Sequence, residues 1–153
     1  MSDMTNNAHG TAIVVDGTGL FFCGPSGCGK SGLAFDCLAE ATLRGLPNAL
    51  VADDQVLLAR QNERIVARRP DAIRGLMELR YSGIVAVNSV EEAELHFAIL
   101  PVNADGNMRL PPENERLSLT PEIDLPVIRV PFWSRFPLAL IFAQIATMQA
   151  KRS

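Results

Sequence analysis

Residues 24 to 31 read Gly-Pro-Ser-Gly-Cys-Gly-Lys-Ser, and Gly24, Gly29, Lys30 and Ser31 fill every fixed position of the pattern G-x-x-x-x-G-K-[ST]. Glycines there permit backbone conformations that aim several N–H groups into one concavity, and a helix starting at the same place adds its positive dipole end. Such a cradle suits the phosphates of a nucleotide, with Gly24, Pro25, Ser26, Gly27, Cys28, Gly29, Lys30 and Ser31 as its wall. Lys30 would reach the β- and γ-phosphates, and the Ser31 hydroxyl would be a ligand of Mg²⁺. The plainer alternative is a glycine turn that only bends the chain.

Catalysis needs more than a held phosphate. It needs a group that activates the attacking oxygen, and "VADDQV" supplies Asp53 and Asp54 within an apolar run. Neighbouring side chains on a regular strand point to opposite faces, so both carboxylates reach one site only if the strand ends or bulges there. A pair of solvated strand-end carboxylates is the competing reading. Taken alone, His9 is more often structural or exposed than functional, His96 reads as a strand residue of no function, and Glu78 is as readily a surface charge as a metal ligand. Arg64, Arg68, Arg69, Arg74 and Arg80 make a locally basic stretch, for which a solvated face is the commoner explanation.

These residues need elements to position them. "TAIVV" and "LFFCG" flank an Asp-Gly turn, which predicts a hairpin leading into the glycine loop. Leu33, Ala34, Cys37, Leu38 and Ala41 recur at spacings of three and four, predicting a helix from Lys30 to about Arg44 that Gly45 and Pro47 stop. A second hairpin is expected from "ALVADDQVLLAR" and "ERIVARRP". "AIRGLMELR" is ambiguous between helix and strand, "GIVAVNSV" reads as a strand, and "ELHFAILPV" reads as one strand. Residues 103 to 121 are rich in Asn, Pro and charge and are expected to be loop. "LPVIRV" is a short strand before a closing apolar helix over about Pro137 to Ala150.

A chain of 153 residues is of single-domain size, and its 48 % hydrophobic and 20 % charged composition is that of an ordinary globular protein. The net charge of -3 offers no general attraction for nucleic acid or an anionic membrane surface. The closing apolar segment contains Gln144 and Gln149 and falls short of the roughly 20 residues that span a bilayer. The N-terminus lacks the basic-then-apolar pattern of a secretory signal, so a cytoplasmic location is expected. Cys23, Cys28 and Cys37 contain no Cys-x-x-Cys pair, which fits a reducing compartment without a structural metal; Cys28 is read as a loop filler.

The order of these pieces resembles the catalytic domain of the HPr kinase/phosphorylase family. "HGT", a strand, the "DG" turn, a strand, "GPSGCGKS", a helix, "LVADDQV", "IRGLMELRYSGIV", "ERLSL" and a closing apolar helix follow one another over nearly the whole chain. A histidine and hairpin directly before the loop are more specific than the loop itself. The resemblance implies an α/β P-loop domain, similar to the phosphoenolpyruvate carboxykinase-like nucleotide-binding fold, with residues 1–153 as one catalytic domain. It implies transfer of phosphoryl from ATP, with Mg²⁺, to a serine of the phosphocarrier protein HPr. The reverse reaction uses inorganic phosphate and releases pyrophosphate.

Carried over by position, the resemblance makes His9 and Lys30 active-site residues, places Ser31 and Glu78 on Mg²⁺, and makes Asp53 or Asp54 the acid/base. Arg116, in "ERLSL", matches an arginine that neutralises charge on the phosphoryl group. It also implies a homo-oligomer, commonly a hexamer, for which Phe132, Trp133 and Phe136 would suit an interface unless the monomer buries them. Only eight residues precede His9, as in a short form without the N-terminal domain of longer members. Two departures stand out. Tyr81 replaces a usual glycine, and "VPFWSRFPLA" stands where a "PVRPGRN"-like loop tied to phosphorolysis is expected. The competing readings are a P-loop kinase for another protein or small molecule, and a nucleotide-binding regulator without turnover.

Overall fold

The structure, a computed structural model, describes residues 5–25, 29–70, 74–103 and 110–152. Its first hairpin joins β1 (Thr5–Val15) to β2 (Thr18–Phe22). Asp16 and Gly17 both take positive φ, at 49° and 81°, as the tight two-residue turn between twisted strands requires. Helix α1 (Lys30–Leu43) follows the phosphate loop. It ends where Gly45, at φ 73°, lets the Leu46 N–H return to the Ala41 carbonyl at 2.8 Å.

The second hairpin is β3 (Asn48–Gln61) with β4 (Arg64–Arg68), so both hairpins form as the turn residues indicate. "AIRGLMELR" resolves as strand: β5 (Leu76–Leu79) pairs antiparallel with β6 (Gly83–Ala86), although Ile73 lies outside the described residues. "ELHFAILPV" is two strands rather than one. β7 (Glu92–Leu95) pairs antiparallel with β4, and β8 (Phe97–Val102) pairs parallel with β2, the change of partner falling at His96. The expected loop also contains a strand, β9 (Arg116–Thr120), paired antiparallel with β10 (Ile123–Pro131); residues 104–109 lie outside the described residues. Leu117 and Leu119 alternate with polar neighbours there, a short period-two signal beside many turn-forming residues. Helix α2 (Pro137–Arg152) closes the chain.

Eight strands make one sheet in the order β7-β4-β3-β1-β2-β8-β10-β9. Alternation divides its side chains between two cores. Ile13, Val15, Leu20, Phe22 and Ile99 pack under α1 and α2 against Leu33, Cys37, Leu138 and Ile141. Ala12, Phe21 and Ala98 face the other way, into a core that includes Leu58, Ala67 and Leu95 from one end of the sheet and Ile123 and Leu125 from the other. The sheet therefore curls over its helix-free face. At the closest approach the Gly19 N–H donates to His96 Nδ1 at 2.9 Å and the His96 N–H donates to the Gly19 carbonyl at 2.8 Å. A Cβ on Gly19 would overlap the Glu94 carbonyl oxygen, so this crossing requires glycine. His96, read from sequence as a strand residue of no function, ties β7 to β2.

The two helices are locked by one buried carboxylate. Glu40 on α1 accepts from the Leu138 N–H through Oε1 and from the Ala139 N–H through Oε2, each at 2.9 Å. These are first-turn amides of α2, which have no partner within their own helix. A negative charge there also suits the helix dipole. Burial, with Glu40 and Asp36 adding to it, pushes the Cys37 thiol well above its usual range, so this cysteine stays a protonated core side chain. None of the described helices is long and apolar enough to cross a membrane. Glu40→Ala strips both amides of their acceptor and should lower unfolding free energy by on the order of 3 kcal/mol. Urea denaturation followed by circular dichroism measures it, and an unchanged midpoint would contradict the capping role.

Candidate active site

The candidate site forms where β1 and β3 lose their regular register. Ala12 pairs with Ala52 but Ile13 pairs with Leu50, so Val51 is an extra residue, a β-bulge. Val51 and Ala52 consequently both face the helix-free core, and Asp53 arrives on the helix side opposite Thr11. Asp54 then takes φ 75°, a left-handed conformation inside a strand, which lets it share the site with its neighbour. The partner of Asp54 is Gly10, where a Cβ would stand 2.5 Å from the Phe21 ring and 2.6 Å from the Phe22 carbonyl oxygen. The sequence condition for two adjacent carboxylates at one site, a bulge or a strand end, is met by the bulge and the left-handed residue together.

Asp53 is buried and accepts three hydrogen bonds. The Thr11 hydroxyl donates to Oδ1 at 2.8 Å, the Ser31 hydroxyl donates to the same oxygen at 2.7 Å, and the Glu78 N–H donates to Oδ2 at 3.2 Å. Asp54 is exposed and meets one partner, His9 Nδ1, at 3.2 Å from its Oδ1. The two carboxylates are thus unlike: one is bound on both oxygens, the other keeps lone pairs open to the pocket. The ammonium of buried Lys30 donates to the carbonyls of Gly24 and Pro25, each at 3.1 Å, which uses two of its three protons and aims it along the loop. Gly29 at φ 96° precedes α1 with no side-chain cap and no acidic residue in the first turn. The helix start therefore presents amides that no side chain caps, as an anion site does. Ser26, Gly27 and Cys28, the middle of the phosphate loop, lie outside the described residues.

A pocket of about 740 Å³ collects His9, Lys30, Ser31, Asp53, Asp54 and Glu78 in one place. Arg116 is not among its lining residues. It sits on β9, where its guanidinium grips Asp124 through Nε at 3.0 Å and a second nitrogen at 3.2 Å, a contact that raises the arginine and holds the aspartate below the usual carboxylate range. Several lining residues carried no functional signal in the sequence. Thr11 was visible only as part of "HGT", Phe35 and Asp36 only as helix, and Arg80 only as one of a basic run. Asp36 is held above the ordinary carboxylate range by partial burial and then by Glu40. The rest of that basic run is partly neutralised, Arg68 and Arg64 meeting Glu92 and Glu94 of β7.

Among the described residues, no cluster of three or more His, Cys, Asp or Glu could hold a metal by itself. The oxygens at hand are those of Ser31, Glu78 and the two aspartates. All are hard donors, and Mg²⁺ is commonly held by one or two carboxylates together with substrate phosphates, so this donor set fits it. Tyr81, at the tip of the β5–β6 hairpin, rims the pocket at φ 69° and is 99 % exposed. A bulky residue in this region carries strain that glycine lacks.

Comparison with known proteins places the chain among relatives. A family model described as the HPr Serine kinase C-terminal domain matches residues 2–95. The HPr kinase/phosphorylase of Chlorobium limicola is 30 % identical over 155 residues, covering 90 % of this chain and 43 % of that protein. That of Halalkalibacterium halodurans is 37 % identical over 84 residues, covering 54 % of this chain and 25 % of the relative. The chain thus spans less than half the length of these relatives. A solved structure, the Hpr(Ser) kinase/phosphatase from Coxiella burnetii, has the same fold, with a TM-score of 0.74 at 24 % identity over 96 % of this chain and 98 % of that one.

The strained rim gives a direct check. Tyr81→Gly should stabilise the protein by up to about 1 kcal/mol, the relief of left-handed strain exceeding the added freedom of the unfolded chain. Thermal unfolding measures it, and a fall in midpoint would mean that the ring makes contacts its exposure does not suggest.

Proposed function

The chain belongs to the HPr serine kinase C-terminal domain family, and on that premise we propose that it transfers the γ-phosphoryl group of ATP to a serine hydroxyl of the phosphocarrier protein HPr. One observation carries this reading. A phosphate-loop serine and a bulged strand meet at Asp53, and that contact leaves the adjacent Asp54 open beside the loop. The site thus has a place for the phosphates and, next to it, a carboxylate with unoccupied lone pairs.

In this mechanism Lys30 and the amides at the start of α1 hold the β- and γ-phosphates. Asp53 accepts the hydrogen bond of the Ser31 hydroxyl, which turns the serine lone pairs toward the loop. Ser31 and Glu78 would hold Mg²⁺, which when bound neutralises charge on the phosphate oxygens. Asp54 accepts the proton of the attacking serine hydroxyl as the new O–P bond forms and the bond to the β-phosphate oxygen breaks, with ADP as leaving group. His9 fixes Asp54 by contact with its other oxygen. The forward direction is the better supported one, since "VPFWSRFPLA" replaces the loop tied to phosphorolysis; a reverse reaction would have Asp54 return the proton to the serine oxygen while inorganic phosphate takes the phosphoryl group, forming pyrophosphate.

Phosphate transfer from labelled ATP with Mg²⁺ to HPr, compared with HPr whose acceptor serine is alanine, tests the reading. Label on the unaltered carrier alone is expected; label on neither, with ATP bound, would move the acceptor elsewhere. Asp54→Asn should reduce transfer by roughly 10²–10⁴-fold while ATP affinity holds. Wild-type transfer by this variant, with loss in Asp53→Asn, would shift the proton to Asp53. Arg116 acts on the phosphoryl group in this reading only by leaving Asp124, so Arg116→Ala should leave ATP affinity unchanged in equilibrium titration. Weaker nucleotide binding by that variant would put Arg116 in the ground-state site.

A further inference from the structure

Phe132, Trp133 and Phe136 crowd the turn between β10 and α2 and are 52 %, 53 % and 67 % exposed, so the monomer does not bury them. Exposed aromatic surface of this density is costly in water and marks a binding site more often than chance. The turn is firmly built. The Phe132 N–H donates to the Val102 carbonyl at 2.9 Å, and the Ser134 N–H donates to the Pro131 carbonyl at 3.0 Å. The rings of Phe132 and Trp133 meet edge to face, with centroids 5.3 Å apart and planes at 88°.

Two contacts tie this turn to the phosphate site. A Cβ built on Gly29 would lie 3.8 Å from the Phe132 Cβ, so the aromatic turn abuts the residue from which α1 starts. Glu40, on that same helix, holds the first turn of α2 directly after Phe136. One rigid helix therefore carries the anion-binding end and positions the aromatic turn beside it. Leu79 and Tyr81 rim the pocket from the separate β5–β6 hairpin, with Glu78 on the same hairpin. The aromatic turn borders the loop side.

An anionic tail in the loop joined to a flat aromatic head beside it is the chemistry of a nucleotide. We propose that the Phe132–Trp133–Phe136 turn is the base-binding wall of the nucleotide site, stacking on the purine of a nucleoside triphosphate whose phosphates lie at Lys30; this rests on the reading of that site given above. Stacking tolerates different bases because each offers a π face. Arg135, exposed in the same turn, adds a positive charge to this wall.

Trp133 is the only tryptophan in the chain, so its fluorescence reports on this wall alone. The test titrates the intact protein with ATP and, separately, with inorganic tripolyphosphate, both with Mg²⁺, following emission and measuring affinity by calorimetry. Saturable quenching by ATP but not by tripolyphosphate is expected. Trp133→Leu should weaken ATP roughly tenfold and leave tripolyphosphate affinity unchanged; Phe132→Leu should act in the same direction. Equal effects on both ligands, or none on ATP, would overturn the proposal. Emission that follows protein dilution instead of nucleotide would overturn it in favour of contact between copies of the chain. Tripolyphosphate binding without any Trp133 response to bound ATP leaves the phosphate site standing and removes only the wall, whereas failure of both ligands to bind removes both.

Discussion

The carboxylate of Asp53 is where three separately folded pieces meet. Thr11 comes from β1, Ser31 from the first turn of α1 and the Glu78 amide from the β5–β6 hairpin. A buried carboxylate left without donors is strongly unfavourable, and here each donor is supplied by a different element. The requirement runs both ways. Asp53 needs all three to satisfy its oxygens inside the protein, and α1, the bulged strand and the β5–β6 hairpin are aligned by serving it. Asp54 then inherits its position from a neighbour that is already fixed.

A second buried carboxylate does the same for the two helices. Glu40 fixes α2 to α1, and through α2 it fixes the turn that bears Phe132 and Trp133. The two glutamate and aspartate clasps use one physical rule: an ionised oxygen takes backbone or hydroxyl donors that have no other partner. Packing supplies the bulk of the folding energy through the two cores, whereas the clasps determine relative position.

Much of this was legible in the residues. The Asp-Gly turn and the three-and-four spacing of Leu33 to Ala41 place the hairpin and α1 correctly, because each is a local signal. His9, Lys30, Ser31, Asp53, Asp54 and Glu78 do converge. What local reading missed depends on distant partners. The break of "ELHFAILPV" at His96 follows from Gly19, far away in sequence, and nothing within the segment announces it. β9 was hidden among turn formers because a five-residue alternation is weak against Asn, Pro and charge. Glu40 carried no signal of its own in the sequence, since its partners are the amides of α2, and Arg80 looked like part of a solvated run until the hairpin brought it to the pocket rim. Arg116 has its motif neighbours, yet its fork is engaged by Asp124 on the outer strand pair.

The curl of the sheet has a bearing on solubility and crowding. An open eight-stranded sheet offers two rows of unpaired backbone groups, each a template on which another chain can zip. Here one end is turned inward, since β7 folds back until His96 and Gly19 exchange amide-level contacts. Among the described strands, that leaves β9 as the outward boundary, five residues long and bearing the Arg116–Asp124 ion pair. Short length and charge are the features that discourage edge-to-edge growth. Within the eight-stranded sheet, the described strands thus leave one outward margin, short and charged, on which growth of that kind could start.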